Sequence, residues 1–340
     1  MKCLAGKVYD GEGFRDGYAL VEGGKTVEIG EGKAPYVPDA VGVVIPRMVD
    51  GHTHCADAGV KVEPGMTLEE LVAPPDGLKH RYLREVSEDT LVHDMHEFEE
   101  TARSNGIGTI VDFREGGMKG CILAGKALSD AVVLGRPVSP SFDGGEVEDI
   151  LSVADGIALP SVSDMDRRYT EKVAQACHAA GKPFALHVSE RIREDMEFVM
   201  SLEPAFVVHM VEATDADILA CADAGIPIVI CPRSNRFFGK TARAARMLEL
   251  GAEVALGTDN AMLCPPDMRG EARMLAGILS AQGGNPSDVW HCLIDGGGKL
   301  LNRTKSISSA FGTSDPAVVL PCPGKSPDTA LDSEGPVFVP

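Results

Sequence analysis

Short apolar runs, each preceded by a helix-like segment that ends in glycine, recur along the middle of the chain. Residues 176–181 read Ala-Cys-His-Ala-Ala-Gly and lead into the apolar run 183–187. The same pattern is repeated at 220–231 and at 248–257. Glycine often ends a helix in the left-handed conformation, and continuous apolar runs are typical of strands that are buried on both faces. The repeat therefore predicts parallel β/α units.

Runs of strand length occur at eight places: 43–49, 107–112, 131–138, 156–160, 183–187, 205–209, 226–231 and 253–258. Eight strands alternating with helices over roughly 250 residues predict an α/β fold, the (β/α)8 TIM barrel. A doubly wound open sheet is the competing interpretation. That fold would place a glycine-rich phosphate loop after the first strand, where the sequence has Gly51-His52-Thr53-His54 instead.

The two ends of the chain have a different pattern. Residues 1–40 contain short alternating stretches separated by glycines, which predict antiparallel strands joined by turns. This β element is too small to hold a core alone. Apolar runs at 317–320 and 337–339 predict further strands that pair with it in a small β-sandwich-like domain, although the last stretch could also be a loose tail. The expected division is 1–45 and 306–340 for the small domain and 46–305 for the barrel.

Between the first and second predicted strands, residues 55–85 carry prolines and glycines and predict a long loop. The sequence Ser-Glu-Asp-Thr at 87–90 then predicts a helix that Ser87 caps, with acidic residues in its first turn.

Composition narrows the classes of function. The 340-residue chain has a formal charge of −19, which disfavours a nucleic-acid partner because phosphate backbones would be repelled. Its nine cysteines form no Cys-x-x-Cys pair, and the N-terminus lacks a signal-peptide pattern, so we expect a cytoplasmic protein with reduced thiols. The sequence contains no apolar stretch long enough to predict a membrane span.

Histidines and one aspartate fall at the ends of predicted strands. His52 and His54 alternate with Thr53 and so share one face at the end of the first strand. His187, His209 and Asp259 follow the fifth, sixth and eighth strands. Each histidine alone is explained equally well as a buried structural residue. Together, at the end of a barrel where chemistry is expected, they predict a metal site.

Other polar residues near these ends are candidates for the site. Glu190 lies three residues after His187, where a carboxylate that is not itself a ligand would suit proton transfer; the alternative is an exposed residue opening a charged segment. Arg114 and Arg233 follow the second and seventh strands, and His80 lies in the long loop. These three are candidates for binding an anionic group of a substrate, with ordinary salt bridges as the alternative.

Five motifs fall at or just after the predicted strand ends: Asp50-Gly-His-Thr-His54, Leu186-His-Val-Ser-Glu190, Val208-His209, Cys231-Pro-Arg-Ser-Asn235 and Leu256-Gly-Thr-Asp-Asn260. Through these motifs the chain resembles the amidohydrolase superfamily from about Ile45 to Leu301. It is most similar to the mononuclear deaminase branch, which includes cytosine, guanine and adenosyl-compound deaminases and triazine chlorohydrolases. The first and last motifs are shared widely in the superfamily, whereas His-x-x-Glu and Cys-Pro-x-Ser-Asn are more specific to this branch.

The resemblance implies a single divalent metal ion, Zn²⁺ or Fe²⁺, held by His52, His54, His187 and Asp259. It further implies that His209 hydrogen-bonds the attacking water or the developing oxyanion. Glu190 would pass a proton to a ring nitrogen and then to the leaving amine, and Asp259 would take a proton from the water. A two-metal site bridged by a carboxylated lysine is disfavoured, because the fourth strand contains no lysine.

The implied activity is hydrolytic deamination of a small aminated heterocycle, such as a nucleobase or nucleoside. Two alternatives stay open: hydrolysis of a cyclic amide, as in imidazolonepropionases, or of another C–N or C–X bond; and a barrel that binds a ligand without catalysis. Purine, pyrimidine, pterin and nucleoside substrates are all compatible with the sequence. Because the segment after His54 is short for a deaminase, we expect either an open pocket or one completed by a second subunit of a homo-oligomer.

Overall fold

The computed structural model describes residues 1–63, 65–72, 76–305, 317–324 and 326–340. Within them, fourteen strands are present: β1 (Lys2–Tyr9), β2 (Phe14–Glu22), β3 (Lys25–Glu31), β4 (Ala40–Pro46), β5 (Met48–His54), β6 (Ile107–Arg114), β7 (Ala131–Gly135), β8 (Gly156–Leu159), β9 (Phe184–Val188), β10 (Phe206–His209), β11 (Ile228–Ile230), β12 (Val254–Leu256), β13 (Asp259–Asn260) and β14 (Ala317–Leu320).

Helices connect most of the later strands. They are α1 (Leu68–Val72), α2 (Leu78–Glu85), α3 (Glu88–Ser104), α4 (Gly117–Ala127), α5 (Gly144–Val153), α6 (Arg167–Ala179), α7 (Met196–Ser201), α8 (Asp215–Asp223), α9 (Pro232–Phe237), α10 (Ala244–Glu249), α11 (Met268–Ala281) and α12 (Gly297–Lys305), the last preceded by a π-helical turn, His291–Gly296. Among these described helices, none has the combination of length and apolar character that crossing a bilayer requires.

The main sheet is a ring of parallel strands, as the β/α repeat predicts. Strands β5 to β12 pair in sequence order, and β13 pairs with β5. Because β12 and β13 are successive parts of one segment, the eighth strand hydrogen-bonds β11 on one side and β5 on the other. A Cβ atom at Gly257 would lie 2.8 Å from His52 N, so this close approach requires glycine. The TIM-barrel prediction is confirmed.

Left-handed glycines end helices before the barrel strands, also as predicted. Gly106, Gly181, Gly225 and Gly251 have φ values of 82°, 64°, 61° and 78°. Each allows the chain to leave a helix and enter the next strand without a Cβ clash.

A separate five-stranded sheet is built from both chain ends, in the order β14-β4-β1-β2-β3. It has an apolar cluster of its own, which includes Leu4, Val8, Val21, Val44 and Val319. The prediction that the chain ends share a sheet is confirmed, and β1 to β4 hold their core together with β14 from the other end of the chain. The predicted strand at 337–339 is reduced to a single bridge between Phe338 and Val319.

The boundary of the first barrel strand was predicted wrongly. Residues 43–46 belong to β4 of the small sheet, and the barrel strand β5 begins at Met48 and includes both histidines. The second half of β5 is polar yet fully buried. Asp50 accepts hydrogen bonds from Thr258 N and Oγ1 at 2.9 and 2.6 Å, so a buried strand need not be apolar when its polar groups are paired.

The segment 55–85 is also more ordered than the loop that its prolines predict. It contains a 3₁₀ turn at Cys55–Asp57 and the helices α1 and α2. Of the residues that suggested a loop, Pro64, Pro74 and Pro75 lie outside the described residues. The cap at Ser87 is present, since its side chain accepts a hydrogen bond from Thr90 N at 3.1 Å.

Candidate active site

The carboxyl ends of the barrel strands surround a cavity of about 530 Å³. Six of the residues singled out by the sequence line it: His54 on β5, His80 on α2, His187 on β9, Glu190 just after β9, His209 on β10 and Asp259 on β13. This is the end of the barrel at which enzymes of this architecture carry their chemistry.

Donor atoms of the strand-end residues converge below the cavity. One nitrogen from each of His52, His54 and His187 lies within 4.8 Å of the other two. The same holds for one ligand atom each of His52, His209 and Asp259. His52 belongs to both groups, so it lies at the centre of the cluster. Imidazole nitrogens and a carboxylate at this spacing form a donor set that suits a transition-metal ion.

Backbone carbonyls orient two of the imidazoles. His54 Nδ1 lies 3.1 Å from Phe113 O, and His187 Nδ1 lies 3.2 Å from Leu159 O. Because a carbonyl only accepts, each Nδ1 carries the proton and each Nε2 keeps its lone pair. Burial lowers the pKa of His187 well below its ordinary value, and nearby histidines lower it further. The neutral form that a metal ion needs is therefore favoured.

His52 provides the test of whether the site fits a metal ion. The side chain is fully buried, and neither ring nitrogen has a hydrogen-bond partner among the described residues. Its Nε2 lies 3.4 Å from Asp259 Oδ1. Burial lowers the pKa of His52 to about 3. A buried polar atom without a partner costs free energy, and a cation held among these donors would remove that cost. The residues present thus fit a metal ion.

The Asp259 carboxylate is held in place by its neighbours. Ser234 Oγ donates a hydrogen bond to Oδ2 at 2.6 Å, and Asn260 Nδ2 donates one to Oδ1 at 3.0 Å. Thr53 Oγ1 donates to the backbone oxygen of Asp259 at 3.0 Å. Asp259 has a φ of 65°, a strained value for a residue other than glycine. Strain of this kind is found where surrounding contacts fix a functional side chain.

His209 and Glu190 lie side by side on the cavity wall. Asn235 Nδ2 donates to His209 Nδ1 at 3.3 Å, which leaves the histidine proton on Nε2. That nitrogen lies 3.7 Å from Glu190 Oε2. His209 also has a left-handed backbone, with φ 77°. The Cys-Pro-x-Ser-Asn segment therefore positions both Asp259, through Ser234, and His209, through Asn235.

A buried ion-pair network beside His54 was not found from the sequence. Glu115 Oε1 lies 3.0 Å from His54 Nδ1 and 2.7 Å from Lys79 Nζ. Lys79 also lies 3.4 Å from Asp57 Oδ2. Burial acts to raise the pKa of Glu115, but Lys79 and His54 outweigh it and hold the pKa well below its ordinary value. The available signal was the position of Glu115 directly after a barrel strand.

Two of the three candidates for binding an anion do not reach the cavity. Arg114 is buried against Asp112, with Nη1 3.4 Å from Oδ2, and also contacts Met95 of α3. Arg233 donates from Nε to Glu271 Oε1 at 2.6 Å. Neither guanidinium lines the cavity. A buried carboxylate engages each guanidinium, as expected if the arginines form ordinary salt bridges. This alternative replaces the prediction that Arg114 and Arg233 contact the substrate.

His80 does line the cavity, where its Nε2 lies 3.0 Å from Val72 O, and burial lowers its pKa.

The fourth barrel strand, Gly156–Leu159, contains no lysine. Lys182 lies before β9, at the opposite end of the barrel, and its Nζ donates to Ala154 O at 2.7 Å. The described fourth strand therefore lacks the lysine that would bridge two metal ions in a two-metal site.

A sequence model of the amidohydrolase family matches residues 43–292. A protein of Methanothermobacter thermautotrophicus that is provisionally named an aminohydrolase is 32% identical over 276 residues, which cover 73% of this chain and 72% of the relative.

Two solved structures have the same fold at low sequence identity. An adenosine deaminase from Xanthomonas campestris with bound zinc superposes with a TM-score of 0.77 at 15% identity, over 99% of this chain and 91% of that one. A guanine deaminase from C. acetobutylicum with bound guanine gives a TM-score of 0.73 at 16% identity, over 94% and 90% of the two chains.

Proposed function

Because the chain belongs to the amidohydrolase family, we propose that it is a metal-dependent hydrolase that deaminates a small aminated heterocycle. One observation carries the proposal: three histidines and an aspartate converge at the floor of the cavity, while Glu190 stands on the wall beside His209. A donor cluster next to a separate carboxylate supplies both of the functions that hydrolysis of a C–N bond requires, a nucleophile and a proton donor.

The metal-binding side chains are His52, His54, His187 and Asp259. Nitrogen and oxygen donors in this number suit one Zn²⁺ or Fe²⁺ ion, and the buried, unpartnered nitrogens of His52 support a cation at this point. When bound, such an ion supplies a water whose pKa is lowered towards neutrality. The zinc of the X. campestris adenosine deaminase makes Zn²⁺ our first choice.

The chain's own residues move the protons. In the proposed reaction, water adds to the ring carbon that bears the amino group, and the proton that the water loses passes to Asp259. Glu190 donates a proton to the adjacent ring nitrogen. His209 donates from Nε2 to the oxygen as negative charge develops on it. As the ring carbonyl forms, Glu190, now ionised, takes the proton of the added hydroxyl and conveys it to the amino group, so that the C–N bond breaks and ammonia leaves. Asp259 then releases its proton and Glu190 regains one, which restores both carboxyl groups to their starting states.

The environments of the two carboxylates support this division of roles. Asp259 is buried and held by Ser234 and Asn260, so its orientation is fixed. The Glu190 side chain is 21% exposed and lines the cavity, so it can contact a substrate. Two carboxylates in different environments can act as separate base and acid within one site.

The proposal is tested by measuring ammonia release from purines, pyrimidines, pterins and their nucleosides, using protein reconstituted with zinc or with ferrous iron. We expect one chemical class to release ammonia. Release of chloride or opening of a cyclic amide, without ammonia from any compound, would instead support another C–X or C–N hydrolase of the same family. Binding of compounds without turnover of any would contradict the enzymatic proposal.

A further inference from the structure

Arg136 is the residue that follows β7, the third strand of the barrel, and its side chain lines the cavity. Two backbone hydrogen bonds fix its position. Its N–H donates to Arg114 O at 2.8 Å, and its carbonyl accepts from Gly117 N at 3.1 Å. The guanidinium therefore extends from a backbone that is tied to the end of β6 and the start of α4.

The other charged side chains of the cavity wall are balanced by neighbours. Lys79 lies 2.7 Å from Glu115, and Arg191 lies 2.8 Å from Asp164. The two remaining carboxylates on the wall belong to the candidate active site and face histidines. Within the part of the chain that the structure describes, the Arg136 guanidinium makes neither an ion pair nor a hydrogen bond.

An unpaired guanidinium is unexpected here for two reasons. The chain carries 51 acidic and 32 basic residues, so carboxylates are abundant, and many of its arginines, such as Arg15, Arg193 and Arg243, form ion pairs with them. Arg136 is also half-buried, and a charge partly removed from water is costly without a counterion. A group that enters the cavity from solution is the counterion that this position lacks.

The location of Arg136 suits a distal part of the substrate. Strands β6, β7 and β8 supply none of the candidate metal-binding side chains, which come from β5, β9 and β13. A volume of about 530 Å³ exceeds what a single heterocyclic ring needs and lies within the range of pockets that hold larger ligands. A substrate whose ring reaches the histidine cluster thus has space for a substituent near Arg136.

We propose that Arg136 binds an anionic substituent of the substrate, a carboxylate or a phosphate, so that the substrate class is an aminated heterocycle carrying an acidic group. This inference rests on the proposed function for the identity of the reacting ring. Guanidinium matches carboxylate and phosphate with two parallel hydrogen bonds. Arg136 is a specificity residue and takes no part in the movement of protons.

The test compares matched neutral and anionic compounds on the zinc-loaded full-length protein. For phosphate the pairs are adenosine with adenosine 5′-monophosphate and guanosine with guanosine 5′-monophosphate; for carboxylate, pterin with pterin-6-carboxylate. We expect the anionic member of one pair to have the higher kcat/KM, by roughly 10- to 100-fold. Arg136→Gln should remove this advantage mainly by raising KM, and Arg136→Lys should restore part of it.

The matched control is Arg168→Gln. Arg168 lies exposed on α6, outside the cavity, so this variant removes one positive charge without touching the site. It should keep the preference for the anionic compound. A preference that survives in Arg136→Gln, or neutral compounds that react at least as well in every pair, would overturn the inference while leaving deamination intact.

If no compound releases ammonia, the proposed function fails, and the inference is then judged by thermal stability. Under constant ionic strength, adenosine 5′-monophosphate or pterin-6-carboxylate should raise the Tm of the zinc-loaded wild type more than its neutral partner does, and should lose this effect with Arg136→Gln. Equal shifts in both proteins, or no shift in either, would overturn the anion site as well.

Discussion

The cavity has two walls of different construction. The imidazole wall, formed by His54, His187 and His209 above the fully buried His52, lies on barrel strands, and its donors converge within a few ångströms of one another. The charged wall, formed by Lys79, Glu115 and Arg136, lies on α2 and on the residues that follow β6 and β7. In the proposed function, the first wall surrounds the reacting centre, and Arg136 on the second wall binds the substituent attached to the reacting ring. The difference separates the residues expected to change kcat from those expected to change KM.

The largest expected effect comes from the imidazole wall and its aspartate. Asp259→Ala should lose bound metal and reduce turnover to background, because it removes the side chain proposed as both a metal ligand and the proton acceptor. Elemental analysis and ammonia release measure the two losses separately. An exposed aspartate on the surface, Asp223→Ala, is the control and should behave as wild type. Full activity of Asp259→Ala would contradict the assignment of the site.

Glu190 tests whether proton transfer is separable from metal binding. Glu190→Gln should retain the metal but lower kcat by about 10²- to 10⁴-fold, the usual contribution of a general acid or base. Glu197→Gln, an exposed change on α7, is the matched control. Loss of metal in Glu190→Gln would instead make Glu190 a ligand, and unchanged kcat would remove it from the mechanism.

The two arginines near the charged wall should differ in stability. Arg114→Met leaves Asp112 and Glu115 without their buried partner and should lower the free energy of unfolding by about 3–5 kcal/mol. Arg136→Gln removes no ion pair within the described residues and removes an unpaired, half-buried charge, so it should not lower the free energy of unfolding by more than about 0.5 kcal/mol. Denaturant unfolding of both variants measures this contrast. Equal destabilisation would show that Arg136 has a structural role.

Substitutions at Ser234 test how the Asp259 carboxylate is positioned. We expect them to have the smallest effect on metal binding and turnover. Ser234→Ala removes the hydrogen bond to Asp259 Oδ2 and should lower metal affinity or kcat about 10- to 100-fold, as loss of a group that orients a ligand commonly does. Ser234→Thr keeps the hydroxyl and should recover most of the loss. Failure of the threonine variant to differ from alanine would indicate that packing, rather than the hydrogen bond, matters at this position.

The two walls also differ in how far the sequence predicts them. The β/α repeat and its left-handed glycines predict the barrel, and the barrel predicts that residues at strand ends come together. His54, His187 and Asp259 are placed in this way. The start of β5 was missed because one apolar run is divided between two sheets at Arg47, and because Asp50 and Thr53 are buried through hydrogen bonds that periodicity does not register.

The charged wall depends on pairings between distant residues, which no local pattern specifies. Arg114 and Arg136 both occupy the carboxyl ends of barrel strands, and the sequence offers no means of knowing that one is engaged by Asp112 and the other is not. Lys79 reaches Glu115 only because α2 packs beside the end of β6, where the prolines around it predict a loop. Candidate recognition residues on such segments can be identified only from the tertiary structure.

The most direct test of the account is the metal content of the purified full-length chain, measured by elemental analysis before and after reconstitution and compared with His52→Ala. We expect one zinc or iron ion per chain and loss of that ion in the variant, since His52 lies at the centre of the donor cluster. Two ions per chain, no ion after reconstitution, or a variant that binds as much metal as the wild type would contradict this expectation.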